Sequence, residues 1–320
     1  MILEISEHGS SLKRDHECFI VKSPLSEKTE IPAEKIDAII VTANASITTQ
    51  AVALCLEKNI QLVLANWAGK PFGRFWASTP GRATEYRRKQ YLHQNTPIAF
   101  EISKDIVAYK LRTQRKFLVD LKGNRKTLNE TINNSINSIS KSMQTLDNLE
   151  FTPSFKQTLL GIEGFAAAEY FSAISSVLPK KYAFKERSRQ PAQDKFNAVL
   201  NYIYGITYAS VEKIVILSGL DPNAGIYHAD SYGKPTLVFD LIELFRAKVD
   251  RIAVKLFTKK HVRDSWFISP DDAPLGVFLS KEGRSAVITA YRQEASAPIE
   301  KDSWLYCRKI MTTFAKADNC

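Results

Sequence analysis

The spacing of apolar residues changes once along this 320-residue chain, near Tyr86. Before that point the apolar segments are short, β-branched and bounded by polar turns, as in residues 36–41, and this pattern predicts strands. After it, apolar residues recur at steps of three and four, as between residues 128 and 146, which predicts amphipathic helices. The sequence therefore predicts an α+β protein, with a small β-rich domain at residues 1–85 and a larger all-helical domain at residues 86–320.

Local signals place several elements within these two parts. A helix is expected from Ala51 to Leu56, because Ser46 or Thr48 can cap its first turn. Residues 86–91 (Tyr-Arg-Arg-Lys-Gln-Tyr) are expected to form a polar, basic connector. Thr96 suits the N-cap of a helix, since a proline follows it at the first helical position. Further helices are predicted near residues 98–122, 128–146, 153–178, 194–218, 238–257, 280–296 and 302–316.

Charge limits the partners that this chain can have. It holds 44 Lys and Arg against 34 Asp and Glu, a net charge of +10. Such an excess suits nucleic acid or an acidic membrane surface, although a basic protein without such a partner is the alternative. No apolar run reaches the roughly 20 residues that span a bilayer, and the N-terminus lacks signal-peptide features, so a cytoplasmic location and no membrane partner are expected. The four cysteines are scattered, which favours reduced thiols over disulfides.

One carboxylate stands in the middle of an almost wholly apolar helical segment, residues 159–168. This is Glu163, with Gly161 and Gly164 on either side. An unpaired carboxylate is costly to bury, so a metal, a proton or a cation is expected beside it. The glycines suggest close approach by a ligand or another backbone, because each destabilises a helix by roughly 1 kcal/mol relative to Ala. Pairing with an arginine from a neighbouring helix is the alternative.

Two further segments carry chemistry. A loop after Gly219 leads to His228, a lone histidine of the kind that is more often structural than catalytic. Asp240 and Glu243 then lie three residues apart on one face of an otherwise apolar helix. They indicate a metal or a buried cation, and Arg246, three residues further on, is the alternative that would neutralise them.

Together these groups form a hard-to-borderline ligand set that suits Mg²⁺ or Mn²⁺, whereas Zn²⁺ more often binds cysteine or further histidines. Between the ligand segments lies a basic loop, residues 180–191. Its Lys and Arg side chains would neutralise phosphates and its aromatic rings would accept unstacked bases. A solvated loop without a partner is the alternative.

In order and spacing these segments resemble the CRISPR-associated integrase family, the endonucleases that capture new spacers during CRISPR adaptation. The resemblance extends over essentially the whole chain. One departure is that the family often has Arg-Pro-Pro where this chain has Ser188-Arg189-Gln190-Pro191. The matching parts are Ser46-Ile47-Thr48, Gly69-Lys70-Pro71-Phe72-Gly73-Arg74, Arg87-Arg88-Lys89-Gln90-Tyr91, Gly161-Ile162-Glu163-Gly164, the 188–191 segment with Asp194, Asn197, Leu200 and Tyr204, Gly219-Leu220-Asp221-Pro222 with His228, and Asp240-Leu241-Ile242-Glu243-Leu244-Phe245-Arg246.

The resemblance implies that Glu163, His228 and Glu243 bind one Mg²⁺ or Mn²⁺, and that Asp240 is a second acidic residue of the active site. It also implies a homodimer formed by the β-rich domain and a small ferredoxin-like partner protein that bridges two dimers. The implied reaction is transesterification, in which a 3′-hydroxyl of prespacer DNA attacks a phosphodiester of the double-stranded CRISPR repeat. The residues expected to contact DNA are Lys185, Arg187, Arg189, Tyr182 and Arg246.

Three other interpretations are open. A transposon-borne integrase of the same family would use the same chemistry, although such relatives usually carry an added C-terminal DNA-binding module, and after residue 300 there is room for one helix only. A structure-selective DNA nuclease acting in repair would use the same site with water as nucleophile. A non-enzymatic helical DNA-binding scaffold would not require acidic and imidazole groups in apolar surroundings.

Overall fold

The computed structural model describes residues 2–24, 26–36, 38–58, 60–65, 71–75, 82–123, 129–189, 191–268 and 276–317. They belong to two compact units, one made of Met1–Arg88 with Glu212–Asp221 and the other of Lys89–Val211 with Pro222–Cys320. Several residues of the motifs above lie outside the described residues, namely Gly69, Lys70 and Gln190.

The described part of the first unit is built mainly from short strands. These are β1 (Ile2–Ile5), β2 (Ser11–Asp15), β3 (Cys18–Ser23), β4 (Ser26–Pro32), β5 (Ala38–Val41), β6 (Ser46–Ile47), β7 (Gln61–Ala65) and β8 (Pro71–Phe75). One sheet has the order β1-β5-β7-β8, with β8 antiparallel to β7 and the other neighbours parallel. The other sheet has the order β4-β3-β2-β6, antiparallel except where β6 joins β2. The β-rich N-terminal part is therefore confirmed.

Helix α1 (Thr49–Glu57) packs into the core of this unit. The hydroxyl of Thr48 accepts a hydrogen bond from the Ala51 N–H at 3.3 Å, so the predicted cap is confirmed. Leu54 on this helix is fully buried in one core with Leu12 and Phe19 from the strands. This shared core packs α1 against β2 and β3. Such tertiary packing stabilises a helix that is too short to be stable by itself.

The basic segment 86–91, predicted as a connector, lies within a helix, α2 (Arg82–His93). The boundary between the two units falls inside it, between Arg88 and Lys89. Its Arg, Lys and Gln residues favour helix by propensity, but they are polar on every side and show no apolar stripe. The fully buried Gln90 is one exception, because its side-chain amide donates to the Ala224 carbonyl at 2.7 Å.

Helices dominate the described part of the second unit. They are α3 (Pro97–Gly123), α4 (Asn129–Asp147), α5 (Phe155–Val177), α6 (Lys195–Ser218), α7 (Thr236–Ile242), α8 (Arg246–Thr258), α9 (Lys281–Tyr291) and α10 (Ala297–Ala317). The end of α6, from Glu212 onwards, belongs to the first unit. The helical C-terminal part is confirmed, with one short exception, an antiparallel pair of two-residue strands, β9 (Phe267–Ile268) and β10 (Phe278–Leu279). No helix within these described residues is both long and apolar enough to cross a bilayer.

The helix predicted over residues 238–257 is two helices. Between α7 and α8 the backbone N–H groups of Glu243, Leu244 and Phe245 bond three residues back instead of four, which tightens the turn. The apolar pattern continues through this break, so the sequence did not reveal it. Because of this break, Glu243 and Arg246 do not continue the helix that carries Asp240.

Candidate active site

The centre of the site is a buried lysine that sequence reasoning missed. Lys110 lies on α3 with its side chain 3% exposed. Its Nζ contacts Glu163 Oε1 and lies 2.5 Å from Glu243 Oε2. A signal was present, since Lys110 occupies a position on the apolar stripe that includes Ile106 and Val107, where a solvated lysine is not expected. The structure therefore brings two of the predicted carboxylates to one cation.

Glu163 projects from α5 and its side chain remains 18% exposed. The surrounding segment is less buried than its apolar composition suggested, since Leu160 is 38% and Phe165 57% exposed. A Cβ added at Gly161 or Gly164 would meet nothing within 4 Å. No other backbone approaches these glycines among the described residues, and the close approach of a ligand stays a prediction.

Glu243 is held by two cations. Arg246 donates to it from two nitrogens, at 2.6 Å to Oε2 and 2.7 Å to Oε1, while Lys110 contacts Oε2. Burial by itself raises the pKa of the Glu243 carboxyl, but the charges and hydrogen bonds of Arg246 and Lys110 outweigh it and hold the pKa below its ordinary value. The carboxylate is thus ionised inside the protein, and the Arg246 guanidinium also lies over the Tyr204 ring. Its predicted contact with DNA stays a prediction.

Asp240 has a different role from Glu243. It is fully buried and accepts hydrogen bonds from the backbone N–H groups of Ile226, Tyr227 and His228, at 2.6, 3.0 and 2.8 Å. Its Oδ1 also lies 2.7 Å from His228 Nδ1. Because an ionised carboxylate only accepts, Nδ1 is the donor in this contact, and the tautomer that donates from Nδ1 has its lone pair on Nε2, where a metal could bind. Asp240 therefore orients the histidine and fixes its loop.

A buried phenol beside these groups was also missed by sequence reasoning. The Tyr227 hydroxyl is buried and has no hydrogen-bond partner in the described structure. Burial raises the pKa of this phenol, and the charges of Glu163, Glu243 and Asp240 raise it further. Tyr227 thus lies within the negative field of the three carboxylates.

Whether a divalent ion fits depends on the donor set. Among the described residues, no group of three or more His, Cys, Asp or Glu side chains is arranged to hold a metal. The two carboxylates of Glu163 and Glu243 nevertheless converge on one cation, the Lys110 ammonium, and carboxylate oxygens are the ligands that Mg²⁺ and Mn²⁺ prefer. The chemistry of these two donors suits such an ion, and in this structure the Lys110 ammonium lies between them.

The basic loop divides into inward and outward residues. Tyr182 is 7% exposed, with its ring edge against Phe257 at 4.8 Å between centroids. The Arg187 guanidinium donates hydrogen bonds to the side chains of Asn197 and Asn201, so it is engaged within the protein. Among the loop residues predicted to contact DNA, Lys185 and Arg189 are exposed. Tyr182 is buried and Arg187 is partly buried.

A buried acid links the loop to the site. Asp250 on α8 is fully buried and accepts hydrogen bonds from Tyr170 at 2.9 Å and Tyr204 at 2.6 Å. Burial raises its pKa to about 6, although the two phenols partly oppose the shift. The Tyr204 ring lies under Arg246 at 4.8 Å and under Arg187 at 5.6 Å. The two inward arginines therefore share one aromatic support.

Comparison with known proteins extends over nearly the whole chain. Residues 3–293 match the family profile described as CRISPR associated protein Cas1. The chain is 31% identical over 276 residues to a CRISPR-associated endonuclease Cas1 of Archaeoglobus fulgidus, covering 82% of this chain and 80% of the relative. It is 29% identical over 263 residues to another of Thermodesulfovibrio yellowstonii, covering 82% and 81%.

Solved structures share the fold. A partial Cas6-RT-Cas1–Cas2 complex has a chain that superposes with a TM-score of 0.78 at 23% identity, covering 99% of this chain and 96% of that one. A casposase bound to its integration product superposes at 0.77 with 21% identity, covering 97% and 95%. The Cas1 protein of Thermotoga maritima superposes at 0.65 with 21% identity, covering 98% and 96%.

Proposed function

Since this chain belongs to the Cas1 family of CRISPR-associated proteins, whose curated relatives are named endonucleases, we propose that it is a metal-dependent DNA integrase. In this proposal it inserts new spacer DNA into a CRISPR array by transesterification. The observation that carries the proposal is the convergence of Glu163 and Glu243 on one cationic position. A non-enzymatic scaffold would have no use for such a position.

Each residue of the site has a task in this proposal. Glu163 and Glu243 bind one Mg²⁺ or Mn²⁺ with His228, whose ring Asp240 holds in the tautomer that leaves Nε2 free. Arg246 keeps Glu243 ionised and in place through its two hydrogen bonds. When bound, the ion stabilises the charge that develops on the attacked phosphodiester. Lys110 holds the two carboxylates together by contacting both of them, and it would have to give way for a divalent ion to bind there.

The reaction exchanges one phosphodiester for another. The 3′-oxygen of the incoming strand forms a bond to phosphorus, the bond from phosphorus to the target strand's 3′-oxygen breaks, and the proton lost by the attacking hydroxyl balances the one gained by the leaving oxygen. With water as nucleophile the same site would act as an endonuclease, and this is the second candidate function. The names of the curated relatives favour it as an accompanying activity.

The partners are part of the proposal. Double-stranded DNA, both prespacer and CRISPR repeat, is the proposed substrate, which the net charge of +10 suits. We also propose a homodimer and a small ferredoxin-like partner protein that bridges two dimers. Structures similar to this chain include a partial Cas6-RT-Cas1–Cas2 complex, which supports a protein partner. The casposase likeness is one of fold alone at 21% identity and does not favour a transposon-borne role.

A half-site integration assay tests the function. The purified protein, with and without the partner, is given a labelled DNA with free 3′ ends and a supercoiled plasmid that carries the repeat. With Mn²⁺ we expect label to join the plasmid, and we expect Glu163→Gln and His228→Ala to abolish joining. Glu169→Gln, on the same helix as Glu163, is the matched control and should join normally. If both site variants joined DNA at the normal rate, the proposal would be wrong.

A further inference from the structure

The inward face of α3 carries polar side chains that are buried without a partner. Ser103 and Gln114 are both 0% exposed. Among the described residues, neither the Ser103 hydroxyl nor either polar atom of the Gln114 amide, Oε1 or Nε2, has a hydrogen-bond partner. An unpaired polar group inside a protein is destabilising, and nearly all such groups are paired. An amide of this kind therefore indicates a second state of the protein in which it is paired.

Gln114 lies one helical turn after Lys110, the lysine of the carboxylate site. Both residues belong to the buried face of α3. Residues four apart on a helix share one face, with their Cβ atoms about 5–6 Å apart. Because helical side chains lean toward the N-terminus of their helix, the Gln114 amide leans toward Lys110. Gln114 Oε1 is therefore an unused acceptor that the Lys110 ammonium can reach by a change of its side-chain torsions.

The packing of α3 against α5 explains why the amide has no partner. Lys110 contacts Glu163, and seven residues further along both helices the ring centroids of Phe117 and Tyr170 lie 6.4 Å apart. The two helices therefore run in the same direction and in step. This register places Gln114 about one turn past the carboxylate of α5, where that helix has three consecutive alanines. Alanine side chains offer the amide neither a donor nor an acceptor.

A divalent ion between the two carboxylates would require Lys110 to move. Its ammonium contacts both Glu163 and Glu243, and two cations repel each other in one place. The Lys110 side chain is only 3% exposed, so solvent does not receive the ammonium directly. An ammonium left unpaired in an apolar interior is strongly destabilising. Metal binding therefore needs a second acceptor for this ammonium inside the protein.

We propose that Gln114 is a positioning residue of the metal site, whose amide oxygen accepts a hydrogen bond from the Lys110 ammonium when a divalent ion binds to Glu163 and Glu243. The inference rests on the proposed function in that the site binds a metal. A neutral amide suits this task because it is a weaker acceptor for an ammonium than a carboxylate is. The ammonium therefore stays between the carboxylates without metal and turns to Gln114 only when an ion neutralises them.

A double-mutant cycle on the full-length protein tests the link between the two residues. Calorimetric titration gives the dissociation constant for Mn²⁺. Gln114→Met, which keeps the length of the side chain but not its polar atoms, should raise that constant about tenfold, because the ammonium loses its acceptor. In the Lys110→Met background the same replacement should change it by less than about twofold, because no ammonium needs an acceptor. Lys110→Gln keeps a donor between the carboxylates and replaces Lys110→Met in the cycle if that variant does not fold.

Thermal unfolding without metal distinguishes this role from a merely structural one. Gln114→Met should melt about 2 °C above the wild type, because it removes a buried amide that has no partner. A structural glutamine would instead lower the melting temperature and the Mn²⁺ affinity together. Ser103→Ala is the matched control, since it removes another unpaired buried group of α3, two turns from Lys110 on the side away from Gln114. It should leave the dissociation constant for Mn²⁺ within about twofold of the wild type.

A crystal structure of the full-length protein with Mn²⁺ shows the movement directly, and it should place Lys110 Nζ about 3 Å from Gln114 Oε1. An ammonium that stays between the carboxylates would overturn the inference and leave the proposed function intact. Unchanged Mn²⁺ affinity in Gln114→Met, or an equal loss with and without Lys110, would do the same. Weaker Mn²⁺ binding by Ser103→Ala than by Gln114→Met would make Ser103 the acceptor and would also overturn it. If the wild type bound no Mn²⁺, the proposed metal-dependent function would fail, and this inference with it.

Discussion

The Nζ atom of Lys110 lies 2.5 Å from Oε2 of Glu243, and both side chains are almost completely buried. The same ammonium contacts Glu163, which reaches it from another helix. Two carboxylates that share one site repel each other unless a cation or a proton lies between them. In the proposed function, Lys110 and a divalent ion are therefore alternatives for one place.

Removing this lysine should strengthen metal binding. We expect Lys110→Met to lower the dissociation constant for Mn²⁺ by about tenfold or more, because the ion no longer has to displace an ammonium. Without metal the same variant should melt at a lower temperature, and Mn²⁺ should restore it. Calorimetric titration with Mn²⁺ measures the first effect and thermal unfolding the second. Lys116→Met, at an exposed position on the same helix, should change neither, and weaker Mn²⁺ binding in Lys110→Met would contradict the site.

Asp240 and Glu243 should respond differently to neutralisation. Asp240→Asn should keep measurable strand transfer that extra Mn²⁺ partly restores, since Asp240 contacts the histidine and its loop rather than the cation position. Glu243→Gln should not be rescued, and it should lower the free energy of unfolding by about 3–5 kcal/mol because Arg246 and Lys110 lose their buried counter-charge. A metal titration of strand transfer by both variants gives the ranking. The reverse ranking would move the metal ligand to Asp240.

The basic loop should separate into residues that bind DNA and residues that hold the fold. Lys185→Glu and Arg189→Glu should each weaken binding to duplex DNA and flatten the slope of log affinity against log salt by about one. Arg187→Ala should instead lower stability by about 2 kcal/mol, because its guanidinium packs over the rings of Phe171 and Tyr204. Salt titrations and urea unfolding measure the two effects. A slope that stays at the wild-type value in both reversal variants would mean that the loop is only solvated.

Asp250 should make stability depend on pH. Its pKa is about 6 in the folded protein against 3.8 for an ordinary Asp, so the native state binds more protons between these values. The free energy of unfolding should therefore fall as pH rises from about 4 to about 6, by about 3 kcal/mol from this group. In Asp250→Asn this loss of unfolding free energy should vanish. Urea unfolding between pH 4 and 7 would then show the free energies of unfolding of the variant and the wild type moving apart as the pH rises. Asp120→Asn, exposed on α3, controls for the loss of one charge, and a constant difference for Asp250→Asn would exclude the effect.

The proposed dimer should depend on the β-rich unit. Phe72 and Phe75 are 73% and 39% exposed on β8, which is an edge strand of its sheet. Edge strands with exposed aromatic side chains are surfaces on which a second chain can pack. We expect the Phe72→Ser, Phe75→Ser double variant to sediment as a monomer at concentrations where the wild type is a dimer. Tyr232→Ser removes a fully exposed aromatic side chain of the second unit and should remain dimeric. A dimeric double variant would place the interface elsewhere.

The elements were largely predictable because their signals are local. The cap of α1 by Thr48, the start of α3 at Pro97 and the helical periodicity of α4 and α5 all lie within a few residues of the structure they determine. The same holds for the carboxylate in the apolar segment around Glu163, which marked the site. Helix α2 was not predicted, because its polar residues show no apolar face and so give no helical periodicity.

The partners of each charge were decided by tertiary structure alone. Lys110 and Glu163 are 53 residues apart, and nothing in either segment specifies that the ammonium meets the carboxylate. The inward turn of Arg187 depends on the rings of Phe171 and Tyr204, which two different helices supply. A charge inside a protein is tolerated only when an opposite charge or a hydrogen bond meets it. Periodicity shows that such a group is buried, whereas the packing of distant helices determines which group it meets.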